Sequence, residues 1–125
     1  MSDEMFFETN KKVPYQWMAP ESLMHKKFSL KTDVYSFGVV LWEIFSLGRY
    51  PYKNTLQSDL LELLGKGHRM ISPDCCEDSL YEIMLSCWKW SPGLRPSVQS
   101  VLQELKNIGG HREEYLTSTY AEKEP

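Results

Sequence analysis

The side chains that most often carry chemistry are few in this sequence and widely spaced. Its three histidines, His25, His68 and His111, share no metal-ligand spacing and have no neighbouring nucleophile, so we expect them at the surface. Two of its three cysteines, Cys75 and Cys76, are adjacent, which fits neither a CxxC metal site nor a disulfide framework. Reduced thiols are typical of the cytoplasm. These residues therefore indicate no metal site and no catalytic nucleophile.

Two tyrosines lie in a polar, charged segment at the end of the chain. Residues 109–125 have little apolar surface to bury, so we expect a disordered C-terminal tail. Tyr115 follows Glu113 and Glu114, and Tyr120 lies further along the same segment. An accessible tyrosine after acidic residues is a candidate phosphorylation site, and phosphotyrosine can be captured by an arginine-lined adaptor domain. An unremarkable polar tail is the alternative.

Composition restricts the class of protein and its partners. A chain of 125 residues, 42% hydrophobic and 25% charged, suits one globular core. The net charge of −3 gives no electrostatic reason to expect binding to nucleic acid or to an anionic membrane surface.

The longest apolar stretch, residues 33–48, predicts the element around which the others pack. A helix that is apolar nearly all round is either buried or in a membrane. This stretch carries Glu43 and is shorter than the ~20 apolar residues that a membrane span needs. It is also longer than the ~4–8 residues of most buried strands. With Thr32 as the cap and Gly48 after the end, we predict a central buried helix over residues 32–47.

Helical periodicity predicts four shorter helices around the central one, at residues 21–24, 55–66, 77–88 and 97–108. Pro20 opens the first of them and Ser97 caps the last. Residues predicted to face the core include Leu23, Phe28, Leu30, Leu56, Leu60, Leu61, Leu64, Val98, Val101, Leu102, Leu105 and Ile108. Pro14 and Pro20 favour an extended course between them, lying against a partner surface or a peptide. The predicted fold class is all-α, with no credible sheet.

Six ordered pieces of the sequence resemble the C-terminal lobe of a protein tyrosine kinase domain. They are Pro14-x-x-Trp17-Met18-Ala19-Pro20-Glu21, Asp33-Val34-Tyr35-Ser36-Phe37-Gly38-Val39, Trp42-Glu43-Ile44, Pro51-Tyr52, Cys87-Trp88 and Arg95-Pro96. The resemblance makes residues 13–108 a partial kinase domain and residues 1–12 a remnant of the activation segment. Gly67-His68-Arg69-Met70 and Glu113-Glu114-Tyr115-Leu116 most resemble fibroblast growth factor receptors, which implies a receptor-type kinase.

The resemblance also implies roles for individual residues. Glu21 would form a buried ion pair with Arg95, and Asp33 would accept backbone hydrogen bonds from the catalytic loop. The platform for the substrate peptide would comprise Val13, Pro14, Tyr15, Gln16, Trp17 and Met18. Tyr15 and Gln16 depart from the aliphatic and basic pair usual in such receptors, so the usual substrate preference is in doubt.

The resemblance further implies an incomplete enzyme. The intact parent would transfer the γ-phosphate of ATP to protein tyrosines, with ATP and Mg²⁺ held by a Gly-rich loop, a strand lysine, His-Arg-Asp and Asp-Phe-Gly. None of these motifs occurs in the 125 residues. We therefore expect a substrate-binding lobe that binds no cofactor and has no activity alone. We also expect it to be marginally stable or self-associating, because without the rest of the kinase domain the upper surface of the central helix and of residues 13–18 would be exposed. The alternatives are a truncated or pseudokinase lobe acting as a non-enzymatic interaction module, and an unrelated all-α binding domain.

Overall fold

The computed structural model describes residues 15–108, which form five α-helices and two short 3₁₀ turns. The helices are α1 (Pro20–His25), α2 (Leu30–Phe45), α3 (Gln57–Gly65), α4 (Asp78–Cys87) and α5 (98–108), and the 3₁₀ turns are Tyr15–Trp17 and Pro92–Leu94. No strand occurs among these residues. The predicted all-α class is therefore confirmed for the part of the chain that the structure describes.

The central helix α2 lies two residues earlier than predicted at both ends. Ser29, rather than Thr32, caps it, because the Ser29 hydroxyl accepts a hydrogen bond from the Thr32 N–H at 3.3 Å. After Phe45 the chain turns through left-handed conformations at Leu47 (φ 62°) and Gly48 (φ 88°). The Gly48 N–H donates to the Glu43 carbonyl at 2.8 Å, which satisfies one of the last carbonyls of the helix.

The core forms where α2 crosses α4. The buried apolar side chains of this contact are Val34, Tyr35, Val39, Trp42, Leu80, Ile83, Met84, Cys87 and Trp88. At Gly38 there is no room for a side chain, because an added Cβ would lie 2.7 Å from the Cys87 Cβ and 2.8 Å from the Trp88 Nε1. Glycine at this position therefore sets how closely the two helices pack.

One face of α2 is exposed, so the prediction of a helix buried nearly all round is wrong for that face. Leu30 is 74% exposed and Ile44 is 58% exposed, whereas Val39 is fully buried. Three more residues predicted to face the core, Leu56, Val98 and Leu102, are exposed as well. The physical reason is that the described helices leave these side chains uncovered. Apolar periodicity identifies a face that avoids water but not what covers it.

The segment between Pro14 and Pro20 was predicted to be extended, and this is wrong for Tyr15–Trp17. These residues form a 3₁₀ turn, closed by a 3.0 Å hydrogen bond from the Met18 N–H to the Tyr15 carbonyl. Pro20 restricts only the residue before it, and Ala19 is indeed extended (φ −70°, ψ 157°). The residues between have room for one tight turn.

Candidate functional site: the platform segment and its ion-pair anchor

Two polar side chains of α2 hold the segment Tyr15–Met18, which we call the platform segment. The Ser36 hydroxyl donates to the Trp17 carbonyl at 2.7 Å. The Trp17 indole Nε1 donates to the Glu43 Oε1 at 2.7 Å. Ser36 and Glu43 are seven residues apart, so they lie on one side of the helix, two turns apart. Sequence reasoning did not identify either as a site residue, although two polar residues inside an apolar helix were the available signal.

The loop after α2 also contacts the platform segment. The Tyr15 hydroxyl donates to the Thr55 carbonyl. The Trp17 ring meets the Tyr50 ring edge-on, with centroids 5.5 Å apart and an interplanar angle of 68°. This arrangement is one of the favourable geometries for aromatic pairs. Trp17 is thus held through its indole nitrogen, its carbonyl and its ring.

Gln16 is the buried residue of the platform segment. The residue is 8% exposed, and its amide oxygen has no hydrogen-bond partner among residues 15–108. A buried amide oxygen without a donor costs free energy, which a donor from an incoming group would recover. The remaining platform residues named from the sequence, Val13 and Pro14, lie outside the described residues.

The predicted contact between Glu21 and Arg95 is present as a two-pronged ion pair. The Arg95 Nη1 lies 2.8 Å from the Glu21 Oε2, and the Nη2 lies 2.9 Å from the Oε1. The Arg95 side chain is fully buried and that of Glu21 is 12% exposed. Planar arginine suits such bidentate recognition of a carboxylate.

Every N–H of the Arg95 guanidinium has an acceptor. Besides the two Glu21 oxygens, the acceptors are the carbonyls of Lys89 (2.7 Å), Lys31 (3.0 Å) and Trp90 (3.1 Å). The guanidinium carbon also lies 5.0 Å from the centre of the Tyr35 ring. A buried charge is tolerated when all its hydrogen-bonding groups are satisfied, and this one meets that condition.

The same contacts hold the Glu21 carboxyl in its ionised form. Burial by itself would raise the pKa of Glu21, but hydrogen bonds from Arg95, from its own backbone and from Thr32 outweigh burial and lower it. The Thr32 hydroxyl donates to Oε2 at 2.9 Å. The ion pair therefore joins α1, the first turn of α2 and the loop before α5, and it fixes the end of the platform segment.

Asp33 lies exposed in the first turn of α2, and no hydrogen bond or ion pair of its carboxylate occurs among residues 15–108. Its predicted partner is a catalytic loop that this sequence does not contain, so its role stays a prediction. Asp33 borders an apolar cavity of about 250 Å³ between Phe37 on α2 and Val98 and Leu102 on α5. The candidate phosphorylation sites Tyr115 and Tyr120 lie outside the described residues, as do segments 1–12 and 109–125.

The other reactive side chains form no second site. In the described part of the chain, no three His, Cys, Asp or Glu residues lie close enough together to hold a metal ion. His25 and His68 are exposed. Cys75 is exposed, whereas Cys87 is buried, and burial raises the pKa of the Cys87 thiol to about 11. Among residues 15–108 there is also no helix with the length and apolar character of a membrane span.

Comparisons with known proteins identify the family of this chain. The family described as protein tyrosine and serine/threonine kinase matches residues 1–105. The tyrosine-protein kinase transforming protein Abl of Abelson murine leukemia virus is 45% identical over 97 residues, which is 78% of this chain and 13% of that protein. Human tyrosine-protein kinase ABL2 is 46% identical over 97 residues, which is 78% of this chain and 8% of that protein.

The chain thus spans a small part of these relatives, and they are Abl kinases rather than fibroblast growth factor receptors. The family match excludes the alternative of an unrelated all-α domain. The chain belongs to the protein tyrosine and serine/threonine kinase family, and its relatives indicate the tyrosine kinase branch.

Proposed function

We propose that this chain is the substrate-binding helical lobe of a protein tyrosine kinase. The intact parent would transfer the γ-phosphate of ATP to tyrosines of protein substrates. One observation carries the proposal: the buried Glu21–Arg95 pair fixes the segment that leads into α1, while Ser36 and Glu43 fix Trp17 on α2. A segment held by its own backbone and ring contacts can present a fixed surface to a peptide.

The intact parent would supply the residues that bind ATP and Mg²⁺. Phosphoryl transfer depends on positioning the phosphates and neutralising their charge. The residues that would hold ATP and Mg²⁺ belong to motifs absent from this sequence, so we assign the chain no cofactor and no catalytic residue. Asp33 would contribute indirectly, by accepting backbone N–H groups of the parent's catalytic loop.

A chimera tests this function. The part of the human ABL2 kinase domain that precedes its matched 97 residues would be joined to this chain, and phosphate transfer from ATP-Mg²⁺ to a tyrosine peptide measured. We expect activity from the chimera and none from this chain alone. Asp33→Ala should lower kcat of the chimera, whereas Asp59→Ala, an exposed acid in the first turn of α3, should not. A folded chimera without activity would contradict the proposal.

The finer features of the parent are also proposals. A receptor-type kinase rests on the likeness of residues 67–70 and 113–116 to fibroblast growth factor receptors, and the Abl relatives do not support it. Capture of phosphorylated Tyr115 or Tyr120 by adaptor domains and a cytoplasmic location rest on the sequence. Incubating the chain with an active tyrosine kinase and mapping phosphotyrosine would test the two tail sites.

A non-enzymatic role is the second candidate, and the exposed face of α2 favours it. Leu30, Phe37, Val40 and Ile44 present apolar surface along this helix. Exposed apolar patches mark interaction surfaces. If the product in cells is this chain alone, the face would bind a partner instead of a catalytic loop, and the intact mass of that product decides between the two roles.

A further inference from the structure

Glu43, which holds the platform segment, carries a charge without a counter-ion in the described chain. Its Oε1 accepts from the Trp17 indole at 2.7 Å, and the residue is half-buried. No ion pair of Glu43 with a lysine, arginine or histidine occurs among residues 15–108. The indole N–H occupies one of about four acceptor sites of the carboxylate. Because charges withdrawn from water are usually paired, this carboxylate favours a cation from outside the described residues.

Exposed aromatic surface lies beside this carboxylate. The Tyr50 ring meets the Trp17 ring at 5.5 Å between centroids, and Tyr50 is 52% exposed. Since Trp17 contacts both Tyr50 and Glu43, the two rings and the carboxylate form one surface, which we call the aromatic–acid corner. Aromatic faces attract cations, and a carboxylate beside them accepts charge-assisted hydrogen bonds. The corner therefore has the chemistry of a site for a basic side chain.

The neighbouring residues leave the corner open to an incoming cation. Arg49 precedes Tyr50, but its guanidinium carbon lies 5.5 Å from the centre of the Trp42 ring and forms no ion pair with Glu43. Gln16 places an uncharged side chain next to Trp17 in the platform segment, where a basic residue would compete for the carboxylate. The corner lies on the side of α2 that holds the platform segment, and it is built by that segment, Glu43 of α2 and the loop after α2.

We propose that the aromatic–acid corner binds an arginine or lysine side chain of the substrate peptide. Arginine suits it best, because its planar guanidinium can stack on an aromatic ring while it donates to a carboxylate. This inference rests on the proposed function, since it takes the platform segment as the place where the substrate peptide lies. It adds to that function a class of substrate, namely peptides with a basic residue close to the target tyrosine.

Peptide binding to the 125-residue chain tests the corner without any catalytic activity. The probes are tyrosine peptides with a single arginine, moved in turn through the positions on either side of the tyrosine. The Trp17 indole N–H signal of the isotope-labelled chain would be followed by NMR and assigned from its loss in Trp17→Phe. We expect one of these peptides to shift the signal, and added salt to weaken the binding. The same peptide with citrulline, the neutral isostere of arginine, should bind at least ~5-fold more weakly.

Glu43→Gln is the decisive variant, because a glutamine oxygen can still accept from the Trp17 indole although the charge is lost. It should remove the preference for arginine over citrulline. Tyr50→Ala should reduce that preference, whereas Tyr50→Phe keeps the ring and should preserve it. Glu104→Gln is the matched control, because it removes an exposed charge on α5, and it should change nothing. Circular dichroism would verify that each variant is folded.

Two results of the binding experiment would overturn the proposal. Equal binding of the arginine and citrulline peptides, or no shift with any of them, would leave Glu43 to a cation of the chain itself. An unchanged preference for arginine in Glu43→Gln would place the basic side chain elsewhere on the lobe.

Kinetics of the ABL2 chimera separate this inference from the proposed function. An active chimera should have a higher kcat/KM for the arginine peptide than for the citrulline peptide. The difference should appear mainly in KM, because a contact away from the reacting tyrosine binds substrate and transition state alike. An active chimera without this preference would overturn the inference but not the function. An inactive chimera would count against the function, and the binding experiment would still decide the inference.

Discussion

At Arg95 one side chain satisfies groups from four other residues. It donates to the Glu21 carboxylate and to the carbonyls of Lys31, Lys89 and Trp90, while its own carbonyl accepts from the Lys31 ammonium. An ion pair inferred from sequence is in fact the centre of a hydrogen-bond network. A substitution of Arg95 should therefore remove the donors of three carbonyls as well as the charge that pairs with Glu21.

We expect Arg95→Ala to destabilise the fold by ~3–5 kcal/mol, because it leaves the largely buried Glu21 carboxylate without its counter-ion and three carbonyls without the N–H groups of Arg95. Exchanging the charges, with Glu21→Arg and Arg95→Glu together, should not restore stability, because a carboxylate at position 95 cannot donate to those carbonyls. Urea unfolding of the single and double variants measures both effects. Recovery in the double variant would mean that the charge pair alone, without the carbonyl contacts, determines the stability.

The lowered pKa of Glu21 gives a pH dependence with a definite sign. Its pKa in the folded chain lies below the usual 4.5, so the ionised carboxylate stabilises the fold above about pH 4.5. That contribution is lost as the pH falls below 4.5 through the folded-state value. Urea midpoints measured from neutral to acid pH should fall less steeply in Glu21→Gln than in the unchanged chain. Parallel curves for the two proteins would contradict this assignment.

The cysteines should differ in reactivity. Cys75 is exposed, whereas Cys87 is buried and burial raises its pKa to about 11, so little thiolate forms there near neutral pH. Iodoacetamide should modify Cys75 in the native chain and leave Cys87 intact, and in urea it should modify both. Peptide mass spectrometry reads the sites, and rapid native modification of Cys87 would show that the α2–α4 core opens.

At the scale of elements, the crossing of α2 and α4 depends on one glycine. Alanine normally favours a helix over glycine by ~1 kcal/mol. At Gly38 the new Cβ would collide with the Cys87 Cβ and the Trp88 ring, so we expect Gly38→Ala to destabilise by ~1–3 kcal/mol. Gly65→Ala is the matched control, because its nearest neighbour, the Trp90 ring, lies at 3.6 Å. Thermal unfolding should show a lower Tm for the first variant only.

The whole molecule combines a closed core with one open face. The core residues of α2 and α4 are buried, while Leu30, Phe37, Val40 and Ile44 are exposed along α2. In the proposed parent kinase the preceding part of the domain would cover this face, and contacts made only in the folded state would add to its stability. The chimera with the preceding part of the ABL2 kinase domain should therefore have a higher Tm than this chain alone. An equal or lower Tm would argue against this role of the face.

The sequence by itself determined where the helices lie to within a few residues and which face of α4 is buried. Periodicity identified the buried face of α4, with Leu80, Ile83, Met84, Cys87 and Trp88 all buried, and it identified Ser97 as the cap of α5, whose hydroxyl accepts from the Ser100 N–H at 3.1 Å. Pro20 at the start of α1 follows from its missing N–H. These features depend on neighbours within one or two turns, so a linear sequence contains their cause.

Only the tertiary structure decided which apolar residues are covered and which polar ones meet. Leu30 and Leu102 fit a helical stripe as well as Val39 and Val101 do, but the described helices leave Leu30 74% exposed and Leu102 54% exposed. Ser36 and Glu43 position Trp17 because Trp17 reaches α2. The three carbonyl acceptors of Arg95 come from the loop after α4 and from the start of α2. The physical reason is that burial and hydrogen bonding between distant residues depend on how the helices pack, which local spacing does not specify.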